Sequence, residues 1–167
     1  MNGYDVIFFD CGIDTHFRDD AALVDTLQQF VQDGGSLYAS DLAFPVVEAP
    51  FPAKIDFQGN DASDFAPGVG ARGEVDADVL DPVMQQVLGS NTALVEFNLG
   101  GWAAMVSTTG DTLLEGSYPQ MGGGRDAGPL AVRFTAGSGT VVYTSFHNEQ
   151  QINFDMATLL QEMVLSL

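Results

Sequence analysis

The first forty residues spell a strand, a helix and a second strand in succession, and that order restricts the fold more than any other feature of the chain. Residues 4–10, Tyr-Asp-Val-Ile-Phe-Phe-Asp, are a short apolar run rich in β-branched and aromatic side chains, followed by Cys11-Gly12. Such a run reads as a buried parallel strand. Asp19 and Asp20 then offer an N-cap, Leu23, Val24, Leu27, Phe30 and Val31 recur at helical spacing, and Gly34-Gly35 stops the helix, which the pattern places over 20–33. Residues 36–40 supply the next strand and end at Asp41. Two strands joined by a helical crossover lie parallel, with a right-handed connection.

The remainder is less regular. Between residues 49 and 77 the sequence is rich in Pro, Gly, Asp and Ala, and only 54–57 resembles a strand fragment. A loop of this length is uncommon in a compact domain and usually either covers a site or is disordered. A short helix follows, signalled by Asp81 as N-cap, Pro82 in its first turn and Gly89 at its exit. Residues 93–99 and 102–107 flank Gly100-Gly101, a two-residue hairpin signal, and 112–116 adds a strand. Residues 129–134 and 140–146 predict a second hairpin around Gly137 and Gly139. In the last helix, predicted over 150–166, Ile152, Met156, Leu159, Leu160, Met163, Val164 and Leu167 form one broad stripe that has to pack on a sheet. The expected class is therefore α/β, with a parallel half and an antiparallel half in one domain, 1–167.

Charge limits the partners. Twenty-three acidic residues face four Arg and one Lys, for a formal net charge of −18. Phosphate backbones need a basic footprint, so nucleic acid is excluded as a partner. The apolar runs are too short to insert in a membrane. An acidic surface resists association by self-repulsion and fits an extracytoplasmic or salt-adapted setting. The single cysteine, Cys11, forbids an internal disulfide and leaves the redox compartment open.

Acid/base chemistry is legible in one place. The apolar run 140–146 ends in His147-Asn148-Glu149, just before the final helical pattern. Alternate residues of an extended chain project the same way, so the Glu149 carboxylate can orient the His147 imidazole. In an open α/β sheet, ligands bind beyond the carboxyl ends of the strands, where Asp10, Cys11, Gly12, Ser40, Asp41 and His147 to Glu149 would all gather. A His-Glu pair serves a nucleophile, and the candidates are Cys11 and Asp41. Cys11 adjoins Asp10, whose charge opposes a thiolate. Catalysis requires the Cys11 sulfur or an Asp41 oxygen within about 3 Å, or slightly more, of the His147 ring. Asp10, Asp41, His147 and Glu149 can also hold a divalent cation in principle, but their spacing is not diagnostic, and no metal or cofactor is expected.

These segments resemble class I glutamine amidotransferase-like domains. Residues 4–12 resemble the strand and glycine turn that supplies oxyanion donors there, 140–149 resembles the strand ending in His-x-Glu, and 34–41 sits where that family turns sharply to present a cysteine nucleophile. The resemblance implies a three-layer, flavodoxin-like mixed sheet with helices on both faces. Active members carry Gly-x-Cys-x-Gly at this elbow, because glycines permit the strained turn; this chain has Ala39-Ser40-Asp41-Leu42-Ala43. No counterpart of the family's first strand precedes Tyr4, so the expectation is either an excised or divergent domain or a sheet completed differently. The expectation is a catalytically degenerate domain acting as a binding or interaction module. Its partner is a small molecule or protein that the residues do not name, and a homo-oligomer is compatible with the sequence. The enzyme-class alternative is a hydrolase or amidotransferase using His147 and Glu149 with a rebuilt nucleophile, Cys11 or Asp41. The expected ligand contacts are Asp10, Gly12, Ser40 and Asn148.

Overall fold

A computed structural model describes residues 3–12, 15–59, 67–147 and 153–167. Its centre is a seven-stranded mixed sheet. The strands are β1 (Val6–Phe9), β2 (Ser36–Ser40), β5 (Gly73–Val79), β6 (Thr92–Phe97), β9 (Asp111–Pro119), β10 (Arg125–Ala136) and β11 (Gly139–Thr144), in the order β1-β2-β11-β10-β9-β5-β6. The pairs β1/β2 and β2/β11 are parallel, and every pair from β11 to β6 is antiparallel. Two small ladders stand beside it: β3 (Ile55–Phe57) with β8 (Met105–Thr108), and β4 (Gly68–Gly70) with β7 (Trp102–Ala103).

Period-two alternation divides the core between the two faces. Leu37, Ala39, Val141 and Tyr143 point one way and pack with Leu27 and Val31 of α1 (Ala21–Gln32) and with Val46 and Val47 of α2 (Pro45–Glu48). Tyr38 and Val142 point the other way, toward Met84 of α3 (Pro82–Leu88) and Met156, Leu159 and Met163 of α4 (Phe154–Leu165). The result is three layers, as the fold reading required. Burial of each large apolar side chain contributes about 1.5–3 kcal/mol relative to exposure.

The caps explain where the helices start. Asp20 accepts from Leu23 N at 3.1 Å, Asp81 from Val83 N and Met84 N at 2.9 and 3.0 Å, and Asn153 from Met156 N at 2.9 Å. Gly89 ends α3 in the left-handed region at φ 68°, which costs a residue without Cβ little. The α4 stripe is narrower than the sequence pattern: Val164 is exposed, and Ile152 lies outside the described residues.

Three expectations are corrected. First, β1 is an edge strand with Phe8 51% exposed, since only β2 pairs with it among the described residues. Second, Gly100-Gly101 does not join a hairpin. β6 already has β5 as its antiparallel partner, and the Trp102 ring stacks on Phe97 with centroids 4.0 Å apart. Trp102 also lies flush against Gly70, where any Cβ would collide with the indole, so the chain leaves the main sheet to pair with β4. Third, the stretch from 49 to 77 is not all loop. It contains β3, β4 and the start of β5, whose alternation is plain: Val75, Ala77 and Val79 are buried while Glu74, Asp76 and Asp78 are exposed.

Candidate functional site

The parallel strands β1, β2 and β11 end on the same side of the sheet, and each delivers one polar residue there: Cys11, Asp41 and His147. Asp41 is the centre. It follows β2 at φ 47° and is, among the described residues, the one non-glycine with positive φ. Aspartate visits this region more readily than most residues, and a sharp strand-to-helix turn of this kind is what exposes a nucleophile in elbow-bearing folds. The turn is made without glycines: Ala39 and Ala43, on either side of it, are fully buried.

Asp41 is 3% exposed, and both its side-chain oxygens and its carbonyl oxygen are engaged. Oδ1 accepts from Ala103 N at 2.9 Å. Oδ2 accepts from the Cys11 thiol at 3.4 Å and lies 3.0 Å from His147 Nδ1. Its carbonyl oxygen accepts from Tyr143 Oη at 2.7 Å. The distance condition set from the sequence is thus met by Asp41. The Cys11 thiol, by contrast, is pushed up to about 11 by burial and then by the Asp41 carboxylate, with Asp10 adding in the same direction. At neutral pH it is a neutral donor to Asp41. Burial also holds the Tyr143 hydroxyl well above its ordinary value, again with Asp41 reinforcing the shift.

Asp10 is exposed at the end of β1, and Gly12 takes φ 96° in open space, as a glycine turn would. Ser40 is 1% exposed and extended, directly before the elbow. Asn148 and Glu149 lie outside the described residues. Sequence reasoning missed Tyr143 and Ala103. A tyrosine inside an apolar strand needs a partner for its hydroxyl, which was a usable signal. Ala103 acts through its backbone and left none.

No protein-family model matches the chain, and no curated protein matches it. Solved structures do. A cytoplasmic protein of Salmonella typhimurium superposes with a TM-score of 0.56 at 16% identity, covering 97% of this chain and 71% of that one. A β-galactosidase from Bacillus circulans sp. alkalophilus gives 0.56 at 11% identity, covering 98% of this chain and 22% of its own. A ThuA-like protein from Parabacteroides merdae gives 0.51 at 16% identity, with 92% and 64% covered. The chain thus spans about a fifth of the galactosidase. At such identities the likeness concerns the fold alone, and that fold is the class I glutamine amidotransferase-like one.

Proposed function

We propose that this chain is a non-catalytic glutamine amidotransferase-like domain that works as a binding or interaction module. The observation that carries the reading is the state of Asp41. A nucleophile has to present an unshared atom to substrate, whereas Asp41 is 3% exposed and both carboxylate oxygens are occupied, by Ala103 N on one side and by Cys11 and His147 on the other. Cys11 offers no substitute, because a thiol held to about 11 is almost wholly protonated at pH 7. The match to roughly a fifth of a galactosidase chain supports the idea that this fold is used as one part of larger proteins.

A second reading rests on the 3.0 Å approach of His147 to Asp41, in which the pair serves a hydrolase or amidotransferase with a rebuilt nucleophile. Release of ammonia from glutamine, and of nitrophenolate from a short nitrophenyl ester, separates the two. The module reading expects both rates at background. Turnover abolished by His147→Ala would overturn it; loss in Cys11→Ser would then identify the sulfur as nucleophile, and loss in Asp41→Asn alone would identify the carboxylate.

A further inference from the structure

We propose that Cys11, Asp41 and His147 form a transition-metal site of the zinc class, with three protein ligands and a fourth position open to a ligand. The idea deepens the module reading by assigning a ligand to the elbow, and it rests on that elbow being a binding centre. The three donor atoms, one sulfur, one oxygen and one ring nitrogen, lie within 4.8 Å of one another. The two separations from the shared Asp41 oxygen fit one ion. Tetrahedral zinc with Zn–S of about 2.3 Å and Zn–N and Zn–O of about 2.0 Å places sulfur and oxygen about 3.5 Å apart, and nitrogen and oxygen about 3.3 Å apart. The observed values are 3.4 Å for Cys11 Sγ to Asp41 Oδ2 and 3.0 Å for His147 Nδ1 to the same oxygen.

Donor chemistry selects the metal. Calcium and magnesium take oxygen ligands, whereas a thiolate, an imidazole and one carboxylate suit zinc or cobalt. The surroundings already hold the central ligand as outer-shell groups do in metal sites: Ala103 N fixes Oδ1, leaving Oδ2 for the ion, and Tyr143 Oη fixes the Asp41 backbone. The three ligands come from the ends of three different strands, so the sheet pre-positions them before any ion arrives. Cys11 is half-buried and the His147 side chain is 16% exposed, which leaves an approach from solvent. Ser40 and Ser145, next to Asp41 and two residues before His147, bury hydroxyls that lack a hydrogen-bond partner among the described residues. Polar capacity near the elbow therefore exceeds what the protein itself uses. On binding, the Cys11 proton passes to solvent as the metal–sulfur bond forms.

The test is titration of the whole chain, stripped with EDTA, with Co²⁺ and Zn²⁺. One equivalent of Co²⁺ is expected to produce a thiolate-to-cobalt charge-transfer band with tetrahedral d–d absorption, and Zn²⁺ is expected to bleach both. Cys11→Ser should abolish the charge-transfer band, and His147→Ala should weaken cobalt affinity by roughly tenfold or more. Glu74→Gln, an exposed carboxylate on β5, should leave both unchanged. Circular dichroism of each variant checks that it is folded, and the wild-type band stands as evidence even if a variant is not. Binding without a charge-transfer band, or an affinity for Co²⁺ no greater than for Ca²⁺ at matched ionic strength, would overturn the proposal and reduce the effect to diffuse attraction by acidic residues. Ammonia release leaves the metal site standing but removes the module reading, so the two fail separately.

Discussion

Two strand-to-helix turns in this molecule begin on an aspartate, and they use the carboxylate in opposite ways. At the end of β5, Asp81 has an ordinary extended backbone, φ −75° and ψ 122°. One of its oxygens caps Val83 N and Met84 N, and the other pairs with Arg133 Nη2 at 3.1 Å, leaving the side chain 10% exposed. At the end of β2, Asp41 sits at φ 47° one residue past the N-cap position, and no side-chain cap bond is made at that position. Its contacts instead reach Cys11, Ala103, Tyr143 and His147, separated from it by 30 to 106 residues in sequence. The first turn is held by its own helix, aided by one surface cation. The second is held by the rest of the fold, which keeps a strained conformation in place and brings three metal-capable side chains together.

The largest expected effect tests that contrast directly. Asp41→Ala leaves Ala103 N buried without its acceptor and removes the partner of His147 and Cys11, so it should cost about 3–5 kcal/mol in urea unfolding. Asp41→Asn retains an acceptor for Ala103 N and tolerates the left-handed backbone, and should cost less than half as much. Asp81→Ala loses a cap and a partly exposed ion pair, for about 1–2 kcal/mol. If Asp41→Ala proved no more costly than Asp81→Ala, the elbow would not be the strut described above.

Legibility in the sequence follows the same division. The Asp81-Pro82 start and Gly89 stop of α3 were readable to the residue, because an N-cap, a first-turn proline and a left-handed exit glycine act within a few positions. The βαβ opening and the β10/β11 hairpin were readable for the same local reasons. The convergence of Cys11, Asp41 and His147 on one sheet edge followed from topology, once parallel strands were inferred. What holds Asp41 did not, since the Ala103 amide carries no side-chain signal and the β4/β7 pairing that positions it depends on Trp102 packing against Phe97 and Gly70. The β5 alternation was visible but sat inside a stretch whose Gly, Pro and Asp content argued for a loop.

A smaller effect should appear only at the elbow, at high pH and in metal-free protein. Cys11 ionises near 11 when folded, against 9.0 for an ordinary thiol. As pH rises, the unfolded chain therefore releases this proton first, and folded stability present below pH 9 is lost between 9 and 11. Tyrosines titrate in the same range, so the measurement is a difference: the wild type should lose more stability across this window than Cys11→Ala. Equal slopes would mean that the thiol is neither buried nor set against the Asp41 carboxylate.

The smallest effect concerns salt, and it separates a screened pair from an enclosed one. Arg133 also lies 3.5 Å from the exposed Asp111, so single substitutions of Arg133 mix two interactions. A cycle of Asp81→Asn and Arg133→Gln cancels the Asp111 contribution and preserves a capping oxygen at position 81. Its coupling should be about 0.2–1 kcal/mol at low ionic strength, because the Arg133 side chain is 27% exposed and water competes for it. At 1 M salt the screening length falls to about 3 Å, and most of that coupling should disappear. The same cycle with Asp41→Asn and His147→Gln should change little with salt, since the Asp41 side chain is only 4% exposed and ions cannot enter between the partners. A salt response at 41 and 147 as large as that at 81 and 133 would place the elbow carboxylate in contact with solvent. It would then be available as a nucleophile, and the case for a non-catalytic module would lose its main support.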